Sequence, residues 1–173
     1  MWEIPSVSLD DLRKRAAGEP VLLDQHGRKR RFFADLLARG PVLINASYSA
    51  CTDSCPPAMH HLMQARPLLG PQGKGLQFAS ITLTPLEDSP QVLRGWAERY
   101  SLPPDWTLLT GTPAAVEDLR KRLGLGGWSA EPLETGNHIA VARLCDPRRA
   151  RWTHVNLLLP PRSIARMIRY ELA

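Results

Sequence analysis

Cys51 and Cys55 stand four residues apart in the segment Ser49-Ala50-Cys51-Thr52-Asp53-Ser54-Cys55-Pro56. Where such a loop winds into a helix, residues at this spacing come to the same side. The two sulfurs would then face one ion or close a disulfide. Paired thiolates are soft ligands that suit Cu(I), Zn or redox chemistry and disfavour Mg and Ca. Two cysteines leave a metal site incomplete, so a third ligand must come from elsewhere in the chain. His138, in Gly136-Asn137-His138-Ile139, is the candidate. Taken alone it reads as a surface or hydrogen-bonded loop histidine. The cysteine pair has a bland alternative too, as two small core residues. A third cysteine, Cys145, is far from the pair, so the chain has a working pair and a single thiol rather than a disulfide framework.

The elements around the pair favour chemistry over packing. Pro41-Val42-Leu43-Ile44-Asn45-Ala46 is a short apolar run that suits a strand buried on both faces. It leads directly to the cysteines. Pro56-Pro57 opens an apolar-periodic stretch through Leu69, which predicts a helix starting there. The pair therefore sits where a strand turns into a helix, the end at which open α/β sheets place their sites. A helix N-terminus also carries partial positive charge that favours a thiolate.

The remaining pattern supplies a sheet and its covering. Ser8 caps a short helix from Leu9 to Ala16, and Val21 to Asp24 is a strand running to a turn at His26-Gly27. A second short strand is expected around Arg31–Phe33. Leu76 to Leu83 alternates as a strand, and Trp106 to Leu109 is another. Ser89-Pro90 and Thr112-Pro113 are cap-and-proline starts of helices to Tyr100 and Gly124. Ile139 to Leu144 and Trp152 to Leu158 form a hairpin around Asp146-Pro147, and Pro161 opens a final amphipathic helix. Alternating strands and helices predict a mixed α/β sheet flanked by helices, in one domain over residues 1–173.

With 173 residues, 43% of them hydrophobic and 23% charged, the chain can bury a core without disulfide staples. A net charge of +5 and a pI near 9.5 suit acidic partners, anionic lipid or nucleic acid. The densest basic runs, Arg28-Lys29-Arg30-Arg31 and Arg148-Arg149-Ala150-Arg151, lie beside turn signals and read as hairpin tips. No motif for nucleic acid accompanies them. No apolar run is long enough to cross a bilayer, and Met1-Trp2-Glu3-Ile4-Pro5 lacks signal-peptide architecture. Either the protein stays where it is made or an anchor has been trimmed from this chain.

Several landmarks together resemble the Sco/SenC family. Leu43-Ile44-Asn45 running into Cys51-Thr52-Asp53-Ser54-Cys55-Pro56 is similar to that family's Cys-Pro-Asp-x-Cys-Pro motif after a strand. Phe78 to Pro90 is similar to its strand and Asp-Pro-Glu-x-Asp-x-Pro loop. Leu108-Leu109-Thr110-Gly111-Thr112-Pro113 matches its Leu-Thr-Gly-x-Pro segment, and Gly136-Asn137-His138 falls where the family has Asp-His-Ser. The resemblance runs from about Val21 to the C-terminus. It implies a thioredoxin-like fold and copper, as Cu(I) or Cu(II), bound by Cys51, Cys55 and His138. It also implies a role in assembling the copper A site of cytochrome c oxidase, by copper delivery or by thiol reduction. The partner would be the copper-site subunit of the oxidase or another copper protein. The location would be periplasmic, tethered by an N-terminal membrane anchor absent from this chain.

The chain departs from that pattern at Thr52 (usually proline), at Thr84 (usually aspartate), and at Asn137 and Ile139 beside the histidine. Altered neighbours change how a ligand is oriented. The rival reading is therefore a thiol–disulfide oxidoreductase with Cys51 and Cys55 as its redox pair and weak or no copper binding. Asp53 and Asp88 match acidic residues of the family motifs; for Asp53 a cap on the following helix is at least as good a reading, and for Asp88 capping near Ser89-Pro90 is the favoured one. Met59 and Met63 read as core, His60 and His61 as solvent-facing, and Cys145 as a buried structural thiol.

Overall fold

The computed structural model describes residues 8–50, 55–125 and 140–173. One sheet organises them. Strand β1 (Leu22–Asp24) makes a hairpin with β2 (Lys29–Arg30). Strands β3 (Val42–Ser47), β4 (Gln77–Thr82) and β5 (Thr107–Thr110) follow, and β6 (Val141–Asp146) and β7 (Arg151–Asn156) form the second hairpin. In space the order is β2-β1-β5-β4-β3-β6-β7. The central trio β5, β4 and β3 is parallel, and every other pairing is antiparallel. This is the mixed sheet that the alternating pattern predicts.

The helices are α1 (Leu9–Ala16), α2 (Cys55–Ala65), α3 (Pro90–Arg99), α4 (Pro113–Leu123) and α5 (Pro161–Leu172). Local chemistry sets their starts. Ser8, Ser89 and Thr112 each accept a hydrogen bond from a first-turn amide, and a proline occupies the first turn of α3, α4 and α5. Gly124 closes α4 in the left-handed conformation at φ 64°.

Strand alternation splits the core between two faces. Leu43, Phe78, Leu108, Leu144 and Val155 point to the face covered by α2, α3 and α5, and pack with Met59, Leu62, Trp96, Ile164 and Ile168. Val42, Ile44, Ala79, Ile81, Leu109 and Cys145 point to the other, and pack with Leu12 of α1 and with Val116, Leu119 and Leu123 of α4. The central strands are covered on both sides, which is why they read as continuous apolar runs rather than as half-polar ones.

Two expectations shift. The strand expected at Arg31–Phe33 lies earlier, at Lys29–Arg30, and Phe32–Leu36 is a wide helical turn. Carboxylates hold that turn. Asp35 accepts from the Arg31 amide at 2.7 Å, and Glu19 accepts from the amides of Phe33 and Ala34 at 2.7 and 2.9 Å. The helix expected to reach Leu69 leaves α geometry at Ala65 and tightens into 3-10 turns over Arg66–Gly73. Pro67 and Pro71 have no N–H to continue an α-helical ladder.

Candidate metal centre

The chain leaves β3 at Ser47 and re-enters regular structure as α2 at Cys55. Cys55 is thus the first residue of a helix, at the positive end of its dipole. Pro56 and Pro57 fall in the first turn, where missing amides have no intrahelical partner to lose. Cys51, Thr52 and Asp53 lie outside the described residues, as do Asn137, His138 and Ile139.

Topology brings the flanks of both outlying segments to one end of the sheet. β3 and β6 are antiparallel, with Asn45 opposite Ala142. The start of β6 therefore lies at the end of β3 from which the cysteine segment departs. Ala140, the first described residue after His138, is fixed there by accepting from the Leu157 amide at 2.9 Å. Among the described residues, no group of three or more His, Cys, Asp or Glu side chains is placed to hold a metal ion.

The cysteine segment is anchored on its upstream side by a buried carboxylate. Asp88 is fully buried. Its Oδ2 accepts from the Ser49 amide at 3.2 Å, from the Thr82 hydroxyl at 2.6 Å and from the Thr84 hydroxyl at 3.2 Å. Its Oδ1 accepts from the Ser49 hydroxyl. Asp88 is therefore not the cap that its position before Ser89-Pro90 suggests. Ser89 caps α3 through the Val92 amide at 3.2 Å, which releases Asp88 to turn inward. Four donors compensate the burial of its charge. Ser49 lies two residues before Cys51, so Asp88 ties the start of the cysteine segment to the end of β4. Tyr48 packs against Leu83 beside this tie. Thr84, the departure from the family's aspartate, donates to Asp88 where an aspartate would bring a second carboxylate.

Downstream, α2 is seated by its apolar face. Met59 and Leu62 are buried and Met63 is partly buried, as expected of core residues. His60 is exposed, and Nδ1 of half-buried His61 lies 2.9 Å from the Leu157 carbonyl. Cys145 is inaccessible on β6, and burial pushes its thiol far above its ordinary pKa despite the nearby Arg143. It is a structural thiol, as expected.

The SCO1/SenC family model matches residues 10–173. The chain belongs to the SCO1/SenC family. No curated protein matches it. Solved Sco structures share its fold. Yeast Sco1 with copper bound superposes with a TM-score of 0.70 at 22% identity, covering 98% of this chain and 94% of that one. Bradyrhizobium japonicum ScoI with copper bound gives 0.68 at 23%, covering 88% and 97%. BsSco, described as carrying a disulfide switch and as a member of the Sco family of cytochrome c oxidase assembly proteins, gives 0.70 at 19%, covering 89% and 92%. The thioredoxin-like architecture expected from the landmarks is thereby established, including the C-terminal hairpin and helix. The sequence landmarks missed the role of Asp88. The signal for it was the doubled polar pair Asp88-Ser89, in which one residue suffices to cap.

Proposed function

We propose that this Sco/SenC domain, spanning residues 1–173, binds one copper ion through Cys51, Cys55 and His138 and passes it to the copper A site of cytochrome c oxidase. The observation that carries this reading is the position of Cys55 at the start of α2, where the chain returns from β3 with a second cysteine four residues earlier. Two thiolates and one imidazole form a donor set that holds Cu(I) and tolerates Cu(II). The positive end of α2 favours the deprotonated sulfur that copper requires. Copper is the cargo, so a site with few ligands at the mouth of the sheet suits transfer to a partner. The copper held by Sco structures from yeast and Bradyrhizobium japonicum supports this reading.

The disulfide switch described for BsSco favours a second role for the same cysteines. One thiolate attacks a client disulfide and forms a mixed disulfide. The other then displaces the client, which leaves with both thiols reduced, while Cys51 and Cys55 close their own disulfide. We place the protein in the periplasm, tethered to the membrane, as the lipoprotein of this family from Bacillus anthracis supports. Among the described residues, no helix is long and apolar enough to cross a bilayer.

Titrating the fully reduced protein with Cu(I) against a chromophoric chelator tests the site. One tightly held copper is expected, lost in Cys51→Ser and clearly weakened in His138→Ala. Binding indifferent to His138 would remove the three-ligand site, and no specific copper would leave thiol–disulfide exchange as the activity.

A further inference from the structure

At the opposite end of the parallel strands from the cysteine segment, a cleft of about 460 Å³ opens beside the starts of β4 and β5. Its volume lies within the range of small-molecule sites. Four arginines line it, namely Arg28, Arg30, Arg39 and Arg66, against two carboxylates, Asp24 and Asp105. The carboxylates are already committed. Asp24 accepts from the amides of His26 and Arg28 at 2.9 and 3.0 Å and pairs with Arg30 at 2.9 Å. Asp105 pairs with Arg66 Nη2 at 2.6 Å.

Positive charge is left over. Arg39 is exposed and makes no ion pair among the described residues. Arg28 reaches Asp24 only at 3.3 Å with its side chain 63% exposed, a pair that contributes little and is easily exchanged. Arg66 lies over the Phe78 ring at 5.0 Å, and its buried Nη1 has no acceptor among the described residues, so it contributes positive charge rather than a direct contact. The wall between these side chains is rigid, because Gln77 spans it by donating to the carbonyls of Leu36 and Gly40 at 2.8 and 3.4 Å. Guanidinium groups on a fixed wall suit multiply charged oxyanions, whose oxygens they bind in pairs.

We propose that this cleft is a binding site for a phosphate-bearing anion, with Arg28 and Arg39 as its principal ligands and Arg66 as a fixed positive neighbour. The site is separate from the copper reading and stands without it. A phosphorylated small molecule and a phospholipid headgroup present the same chemistry.

The test is calorimetric titration of the protein with inorganic pyrophosphate in a metal-free chloride buffer. In parallel, the protein is sedimented with phosphatidylcholine vesicles with and without phosphatidic acid. Saturable binding is expected in at least one arm. It should weaken about tenfold for each of Arg28→Gln and Arg39→Gln, the scale of one charge-assisted bond, and be unchanged by Arg94→Gln on α3, outside the cleft. Binding of pyrophosphate alone identifies a soluble ligand, and binding of phosphatidic acid vesicles alone identifies a headgroup. Failure to bind in both arms overturns the proposal, as does binding that Arg28→Gln and Arg39→Gln leave intact. Both arginines are exposed, so neither variant is expected to compromise folding, and matched circular dichroism spectra verify this.

Discussion

Asp88→Asn removes a buried charge while keeping the shape of the side chain. The carboxylate accepts four hydrogen bonds, two of them from Ser49. A bond to a charged acceptor contributes about 1.5–3 kcal/mol, but four bonds sharing one carboxylate do not add. An amide offers one good acceptor and two donors, and the hydroxyls of Thr82 and Thr84 can rotate to accept from it. The Ser49 amide has no such freedom. A net loss of about 1–3 kcal/mol is therefore expected for Asp88→Asn. Asp88→Ala leaves the Ser49 amide without an acceptor and opens a cavity, and should cost about 3–5 kcal/mol. At about 2–4 °C per kcal/mol for a chain of this size, the asparagine variant should melt roughly 2–12 °C lower. Urea unfolding of Asp88→Asn, Ser49→Ala and the double variant measures the coupling, expected to exceed about 0.5 kcal/mol. Ser89→Ala should cost about 1 kcal/mol as a lost cap and be additive with both. If Asp88→Asn fell within about 0.5 kcal/mol of the parent, with hydrogen exchange at the Ser49 amide unchanged, Asp88 would not be the anchor of the cysteine segment.

Acid sensitivity should have an identifiable source in Asp24. Burial raises its pKa, but the amides of Arg28 and His26 and the Arg30 guanidinium outweigh burial and hold the carboxyl below its ordinary value. A depressed folded-state pKa contributes stability that is complete above the unfolded value, near 3.8, and lost as pH falls through the lower folded value. Asp24→Asn should therefore be less stable than the parent at neutral pH and show a shallower loss below about pH 4 in urea titrations; parallel curves would refute this. Cys145 should resist alkylation in the folded protein and react only on unfolding, because the thiolate is disfavoured and the sulfur is inaccessible. Peptide mapping after timed exposure to iodoacetamide measures this, and modification of Cys145 at native rates would contradict its burial.

The sheet and its helix starts were legible because each carried a local signal. The cap-and-proline pairs Ser89-Pro90 and Thr112-Pro113 mark their helices to within a residue, and the run Val42–Ile44 marks a doubly covered strand. The departures came where distant groups decide the local conformation. Phe32 and Phe33 suit a strand by type. Glu19, fourteen residues upstream of Phe33, caps the turn they form instead. Asp88 was misread for the same reason. Its partners Ser49 and Thr82 are 39 and 6 residues away, and the only local hint is that Ser89 alone suffices to cap α3. The strand-to-helix junction that carries Cys55 was legible from the apolar run before it and the prolines after it, while Cys51 and His138 lie outside the described residues. The anion cleft was not legible, because its arginines come from three separated stretches that meet only in the fold.

The upstream support of the cysteine segment is built in depth. Asn45 and Ser80 face each other across the parallel ladder of β3 and β4. Both are buried, and the Ser80 hydroxyl donates to Asn45 Oδ1 at 2.6 Å. Trp106 Nε1 donates to Ser80 Oγ at 3.1 Å, and Asn45 Nδ2 lies 3.6 Å from the sulfur of Met59 on α2. This chain of polar contacts crosses from Trp106, just before β5, through β4 and β3 to the helix that begins with Cys55. A slip of β3 by one residue would move Asn45 to the opposite face, among Val42, Ile44 and Ile81, and take it away from Ser80 and Met59. Together with Asp88 beyond the end of the strand, it fixes the register of β3 at two levels by side chains as well as by backbone bonds. β3, which precedes the cysteine segment, and α2, which follows it, are therefore pinned to the same buried network.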